Sequence, residues 1–339
     1  MKSHYAIALF SFRAMIARLP LLTGVLVLTA ASEATNRACS ADGPPPAWAY
    51  PLTPPGFELP PDDGKLRHVP DSSAAFSVSQ IRDRFFTKDW HPDDHPPMPE
   101  VVAYGRKPDV LACGHCHRAD GSGGPENSSL AGLPADYIMQ QMVDFRSGAR
   151  RSSVPHRLPV TLMLSVSRAI TDDEVAKAAA YFSSLKPKKL IKVIESNAVP
   201  KTYVDWLIYA VSKDGGQEPI GQRIVEVPDE LSQFEAYDAR AEFTAYAPVG
   251  SVAKGEALVA TGGVGKTIQC GICHGSDLKG LGPIPSIAGR SPSYTVRQLY
   301  DMKHGERTGP WSALMVRVVA NLDEEDLVSL AAYLASREP

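Results

Sequence analysis

Apolar residues recur at helical spacing in two separate parts of the chain. Thr171 with Glu174 forms a capping box, and Asp323 with Asp326 begins an equivalent segment. The apolar faces that follow are Val175, Ala178, Ala179, Phe182 and Leu185 in one segment, and Leu327, Leu330, Ala331 and Leu334 in the other. Both patterns predict a capped amphipathic helix.

Two further segments have helical patterns, 135–148 and 292–305, and each stops at a glycine. Between the two helical parts, WLIYAV (206–211) and QRIVEVP (222–228) have the pattern of strands, with the turn KDGG between them. The region is too long for a simple linker. We therefore expect two groups of helices joined by a small β-containing connector.

The region before the first group of helices is different in composition. Between Pro44 and Pro99 lie 13 of the chain's 29 prolines, so this part is expected to be mostly extended, with one helical candidate at 77–87. His91 and His95 lie there among acidic residues, which suggests a metal site, but the prolines that interrupt the stretch favour a solvated loop.

The first residues have the pattern of an export signal. Basic residues precede a 13-residue apolar run, Leu19–Ala31, and small residues follow it. A membrane-spanning helix needs about 20 apolar residues, so cleavage after Ala31 or Ala34 and a periplasmic location are expected, while an uncleaved segment would associate the protein with the membrane. Cys39 follows with no lipoprotein pattern around it, which leaves a free thiol or an intermolecular disulfide.

The other four cysteines lie in two copies of one pentapeptide. CGHCH at 113–117 is the first motif, and CGICH at 270–274 is the second motif. Aligning the motifs also superposes residues 130–150 on 287–307 without a gap, including a tyrosine, a glutamine-bearing helix and a Gly-x-Arg end. The chain therefore contains a tandem repeat, with one motif in the first repeat and one in the second.

The pentapeptide Cys-x-x-Cys-His has the spacing of covalent haem attachment. Two thiols can add to the vinyl groups of a haem, and the histidine that follows lies beneath the iron. The attaching residues would be Cys113, Cys116, Cys270 and Cys273. Zinc is an alternative, although the motifs lie 157 residues apart, and a redox dithiol is another, although it explains neither histidine. Two motifs within a repeat favour two covalently bound haem c groups.

Each motif is followed by a methionine at a matching place. Met163 and Met315 precede the helix tyrosines Tyr181 and Tyr333 by 18 residues each. A thioether suits low-spin haem iron, although a methionine there could instead fill the core. A five-residue insertion before Met163 contains His156, which is a second candidate for that ligand position.

Charge and one glycine-rich stretch bear on the partners. The formal net charge is −3 in 339 residues, with no basic excess, so a nucleic-acid partner is not expected. GGVGKT (262–267) resembles a nucleotide-binding loop, but Ala260 stands where that pattern needs glycine, and the haem motif follows at once. No nucleotide partner is expected either, and the stretch is interpreted as a turn leading to Cys270.

Together these residues resemble a two-haem class I cytochrome c, of the c4 type or of the cytochrome subunits attached to periplasmic dehydrogenases. The fold class implied is mainly α, with two class I cytochrome c helical domains in tandem. The boundaries expected are a signal peptide at 1–34, a Pro-rich N-terminal extension at 35–100, cytochrome c domain 1 at 101–186, a connector at 187–249 and cytochrome c domain 2 at 250–339.

The resemblance also implies the iron ligands. His117 and His274 would be proximal, and Met163 and Met315 distal. The family usually orients the proximal histidine with a proline backbone carbonyl. The second repeat has Pro285 there, but the first has Ser128, whose own carbonyl can keep the hydrogen bond.

The function expected is single-electron transfer between a periplasmic donor and a terminal acceptor. The redox partners would be a dehydrogenase, a quinol-oxidising complex or a terminal oxidase. A haem enzyme with an open or displaceable axial position, acting on peroxide or a sulfur compound, is the alternative, and the insertion before Met163 is what supports it.

Overall fold

The computed structural model describes residues 43–339, so the export signal and Cys39 lie outside the described part. The extension is mostly without regular structure. In chain order it contains a 3-10 turn at Ala47–Ala49, β1 (Leu66–Arg67), β2 (Phe76–Ser77), α1 (Val78–Arg82) and a second 3-10 turn at Pro92–Asp94. The short helix α2 (Glu100–Ala103) begins at its last residue. Ser77 and Gln80 form a capping box at α1, but this helix covers only the first part of the segment predicted as helical.

The first repeat folds into helices. They are α3 (Cys113–His117), α4 (Ala135–Ser147), α5 (Leu158–Ala169) and α6 (Asp172–Ser184). α4 ends at Gly148, which adopts the left-handed conformation, and α6 begins with the predicted capping box of Thr171 and Glu174. The apolar face predicted for α6 is buried, with Ala179 and Phe182 almost inaccessible.

The connector contains the predicted strands and more. Its elements are β3 (Ile191–Glu195), β4 (Ala198–Pro200), β5 (Thr202–Asp205), β6 (Ile208–Val211), β7 (Gln217–Pro219), β8 (Val225–Pro228), α7 (Leu231–Glu235) and β9 (Phe243–Ala247). β9 lies between β3, to which it is parallel, and β8, to which it is antiparallel. Trp206, predicted inside a strand, instead lies in the turn between β5 and β6 with a φ of 52°.

The second repeat follows the same plan as the first, but its first helix is longer than α2, which occupies the equivalent place in the first repeat. Its elements are α8 (Ser251–Thr261), α9 (Gly271–His274), α10 (Pro292–Lys303), α11 (Ser312–Val319) and α12 (Glu324–Ser336). α12 begins with the predicted box of Asp323 and Asp326. α8 packs closely on α12, where Gly255 faces the backbone of Ser329. The predicted mainly α fold with a β-containing connector is confirmed.

The extension and the connector are joined to each other by buried polar contacts. The indole of Trp90 donates to the carbonyl of Ala236 at 2.8 Å, and His91 Nε2 lies 3.0 Å from Asp238 Oδ1. The prediction of a solvated loop is therefore wrong for His91, which is buried against the connector instead. Among residues 43–339, the structure contains no helix both long and apolar enough to cross a bilayer.

Candidate cofactor sites

The first motif lies at the wall of a large cavity. Cys113, Cys116 and His117 line it from α3, and Met163 lines it from α5. The cavity encloses about 1580 Å³ including its mouth. Most of the remaining wall is apolar and includes Leu133, Ile138, Phe145, Val166, Ile170, Val175 and Phe182. The four residues predicted for the first site therefore share one cavity, although they come from two helices far apart in sequence.

The second motif has the same arrangement. Cys270, Cys273 and His274 line a cavity of about 1970 Å³, including its mouth, and Met315 of α11 lines the same space. The apolar wall includes Ile284, Leu299, Val318, Leu322, Leu330 and Leu334. Because the two cysteine pairs line different cavities, they do not form one four-thiolate site of the kind that the zinc alternative requires.

Both motif histidines are held by a backbone carbonyl. His117 Nδ1 lies 2.8 Å from the oxygen of Ser128, and His274 Nδ1 lies 2.8 Å from the oxygen of Pro285. The expectation that serine can replace proline here is confirmed. Burial lowers the pKa of both imidazoles, that of His117 to about 4, so each ring is neutral at pH 7. A neutral ring that donates from Nδ1 has Nε2 free as a metal ligand.

The environment of the thiols does not suit redox chemistry. Burial raises the pKa of Cys113 to about 12 and that of Cys270 to about 11. Redox-active Cys-x-x-Cys pairs need a lowered thiol pKa, because the thiolate is the nucleophile. The redox dithiol alternative therefore has no electrostatic support in either motif.

Only some of the residues in and just after the insertion of the first repeat line the first cavity. Met163 lines the cavity, but His156 is exposed and does not line it. The neighbouring Arg157 is buried at the cavity wall instead, and it donates towards the carbonyls of Glu126 and Leu207. His156 is thus not positioned as an axial ligand in this structure.

The two cavities share part of their walls. Six residues line both of them, and they are Ser128, Leu133, Tyr137, Gln141, Tyr294 and Gln298. Gln141 and Gln298 occupy the same position in the two repeats, as do Tyr137 and Tyr294. Sequence reasoning noted these polar residues only as part of the repeat and gave them no role. Their recurrence in both repeats was the available signal.

Several buried cations at these walls lack a full set of partners. Nε of Arg157 in the first cavity, and Nε of Arg290 and Arg307 in the second, are buried without a hydrogen-bond acceptor among the described residues. Buried polar groups are normally paired. An apolar cavity whose wall holds arginines with a free Nε donor fits a large apolar ring that carries carboxylates, which is the chemistry of haem c with its propionates.

Comparison with known proteins agrees with this geometry. The Cytochrome c family matches residues 103–186. Cytochrome c-554(548) of Halomonas halodenitrificans is 38% identical over 80 residues, which are 23% of this chain and 96% of that protein. The chain belongs to the cytochrome c family. Cytochrome c4 of Pseudomonas aeruginosa is also 38% identical over 80 residues, which are 38% of its length.

Longer matches, over more residues than one repeat contains, support the dihaem c4 type. The thiosulfate dehydrogenase electron acceptor of Thiomonas intermedia is 26% identical over 235 residues, which are 68% of this chain and 80% of that protein. As a dihaem c4-type cytochrome, the protein carries covalently bound haem c and transfers electrons to and from redox protein partners. These parts of the sequence-based prediction are confirmed.

Proposed function

We propose that this cytochrome passes single electrons through two haems, each held by one repeat with a histidine and a methionine as axial ligands. The ligands would be His117 and Met163 in the first cavity, and His274 and Met315 in the second. The observation that carries the proposal is that each cavity is lined by one Cys-x-x-Cys-His motif and by the methionine, Met163 or Met315, that occupies the same place in both repeats. Bound haem c supplies a one-electron Fe(III)/Fe(II) couple.

The protein's own residues set the properties of that couple. The carbonyls of Ser128 and Pro285 fix the orientation of the imidazoles and make them better donors to a metal. The apolar walls keep water out and lower the local dielectric. The thioethers of Met163 and Met315, as ligands, would favour the reduced state and raise the reduction potential.

The external partners are proposed from chemistry and likeness together. A relative that matches 68% of this chain is named as the electron acceptor of a thiosulfate dehydrogenase. We infer that the donor to this protein is likewise a periplasmic dehydrogenase, and that the electrons continue to a terminal acceptor. The exported location rests on the basic and apolar pattern of residues 1–34.

The axial ligands are tested by replacing each methionine. In Met163→Ala and Met315→Ala, we expect one of two haems to lose the methionine-to-iron charge-transfer band and its potential to fall. The chain offers matched controls, because Met142 and Met302 also line the first and second cavity respectively. Met142→Ala and Met302→Ala should keep both bands, with two haems per chain by pyridine haemochrome assay. A control variant that loses the band would contradict the assignment.

A further inference from the structure

The two motifs differ greatly in exposure, although they are copies of each other. The position directly before the second cysteine is occupied by His115 in the first motif and by Ile272 in the second. His115 is 4% exposed, whereas Ile272 is 64% exposed. Cys273 is also exposed, while its counterpart Cys116 is partly covered. The same structural unit is therefore covered in one repeat and open in the other.

The first motif is covered by the extension and the connector. The side chain of Thr87 lies so close to Gly114 that an added Cβ would come within 2.6 Å of it. The ammonium of Lys88 contacts the ring of His115, and the ring of Tyr237 lies over the same imidazole, with 4.6 Å between centroids. Contacts between extension and connector, such as that of Trp90 with Ala236, hold this cover in place.

The second motif and the two segments 262–284 and 312–320, which both contribute to the wall of the second cavity, carry exposed apolar side chains. We call this surface the second-motif face, and its apolar residues are Val264, Ile268, Ile272, Leu281, Leu314 and Val316, all at least 42% exposed. Ile268 and Leu314 line the mouth of the second cavity together with Cys273. Cys273, which would bond the second haem, is itself exposed at this face. Surface patches of clustered apolar residues in a monomer mark interaction sites.

The charges on this face differ from those of the whole chain. The segments 262–284 and 312–320 carry three cations, Lys266, Lys279 and Arg317, and one anion, Asp277, in a chain with a net charge of −3. Lys266 is paired with Asp323 and Asp326. Within the described part of the chain, Lys279 and Arg317 have no carboxylate within salt-bridge distance, so the free charge here is mainly positive.

We propose that the second-motif face is the docking surface for an acidic one-electron redox protein whose own cofactor edge is surrounded by apolar residues. One electron passes between that protein's cofactor and the second haem, so one is oxidised as the other is reduced. The cysteine side of the first motif takes no part in exchange between proteins, because the extension and the connector cover it. This inference rests on the proposed electron-transfer function, and it adds the place of exchange and the charge of the partner.

The test uses the full-length holoprotein and two protein probes in stopped-flow experiments, acidic plastocyanin and the basic mitochondrial cytochrome c. At low salt we expect faster exchange with plastocyanin than with the basic probe, and the difference should shrink as salt rises. Ile272→Ser and Leu281→Ser should each lower the second-order rate constant with plastocyanin by about tenfold. Val143→Ser, at a residue of α4 that is 51% exposed, is the matched control and should change it less than about twofold.

Three results would overturn the docking surface. They are faster exchange with the basic probe, equal effects of all three variants, or an Ile272-dependent dimer seen by sedimentation without any change in rate. Haem content and the methionine-to-iron band, measured on the same preparations, report separately on the proposed function. A protein that keeps both but lacks the rate differences would contradict the docking surface alone.

Discussion

Arg150 and Arg307 donate to the same acceptor, the side-chain oxygen of Gln141, each at 2.8 Å. Both also donate to the oxygen of Gln298, each at 3.1 Å. The two arginines are equivalent in the repeat, as are the two glutamines, so the network relates the repeats symmetrically. Among residues 43–339, neither guanidinium has a carboxylate within salt-bridge distance, although both are buried. Two positive charges therefore lie where the haem cavities meet.

Removing one of these charges should lower the reduction potentials. A cation stabilises the reduced iron, which carries one positive charge fewer than the oxidised iron. At about 10 Å and an effective dielectric of about 20, the effect is about 1–2 kcal/mol, or on the order of 50–90 mV for one electron. We expect Arg150→Gln to shift both potentials downward in a spectroelectrochemical titration.

Arg146 provides the control for this experiment. It lies on α4, four residues before Arg150 in the sequence, but it is 38% exposed and pairs with Asp172 at 2.9 Å. Arg146→Gln should change the potentials much less. Unchanged potentials in Arg150→Gln would mean that nearby carboxylates already neutralise the buried arginine.

Exchanging Ser128 for the proline of the other repeat should be tolerated. Only the carbonyl of Ser128 holds His117, and a proline retains it, as Pro285 does for His274. The N–H of Ser128 makes no backbone hydrogen bond in the described structure that a proline would remove. We expect Ser128→Pro to keep two haems and an unchanged spectrum, measured by absorption and haemochrome assay. Loss of the first haem would show that the serine itself is needed.

Lys88 should make stability depend on pH above neutrality. Burial lowers the pKa of this lysine from 10.5 to about 7, and His115 beside it is neutral because its own pKa falls to about 2. Between about pH 7 and 10.5 the unfolded chain keeps the proton that the folded chain has lost. Stability therefore rises with pH across this window, and it is lost again as the pH falls towards 7.

The matching variant is Lys88→Met. It should remove a slope of up to about 1.4 kcal/mol per pH unit from the free energy of unfolding, measured by denaturant titration between pH 7 and 10.5. Lys177→Met is the control, because Lys177 is 61% exposed and pairs with Asp173 on the same helix. If Lys88→Met kept the wild-type dependence of the unfolding free energy on pH, that dependence could not be assigned to Lys88.

Gly255 should not accept a side chain. A Cβ at this position would lie 2.1 Å from the backbone oxygen of Ser329 and 2.7 Å from Cβ of Tyr333. Gly255→Ala must push α8 away from α12, and we expect a loss of about 1–3 kcal/mol in the free energy of unfolding. Ala257→Ser, at an exposed position of the same helix, should change it by less than about 0.5 kcal/mol. Thermal or denaturant unfolding of both variants compares the two directly.

Local patterns predicted those parts of the fold whose signals lie within a few residues. The capping boxes at Thr171 and Asp323 and the glycine end of α4 depend on neighbouring residues, and all three are present. The two Cys-x-x-Cys-His motifs predicted the cofactor for the same reason, because each is a pattern of five neighbouring residues. The alignment of the two repeats identified Met163 and Met315 as residues at matching positions.

The cover on the first motif could not be predicted in this way. It depends on contacts such as that of His91 with Asp238, which are 147 residues apart in two segments without regular periodicity. The hydrogen bond between Gln141 and Arg307 could not be predicted either. The repeat shows that both residues recur, but it does not show that the two repeats face each other at this point. Such relationships come from tertiary packing, for which a single sequence offers no local pattern.

The parallel pairing of β3 with β9 has a consequence for the path of the chain. Glu195 at the end of β3 lies opposite Ala247 at the end of β9, and its carboxylate accepts the N–H of Val252 at the start of α8. The chain thus leaves residue 195 and returns at residue 247 to nearly the same place, heading in the same direction. The intervening stretch therefore leaves and re-enters the tandem repeats at one place. Its removal would take away the connector's part of the cover over the first motif while the path of the chain through each repeat stayed the same.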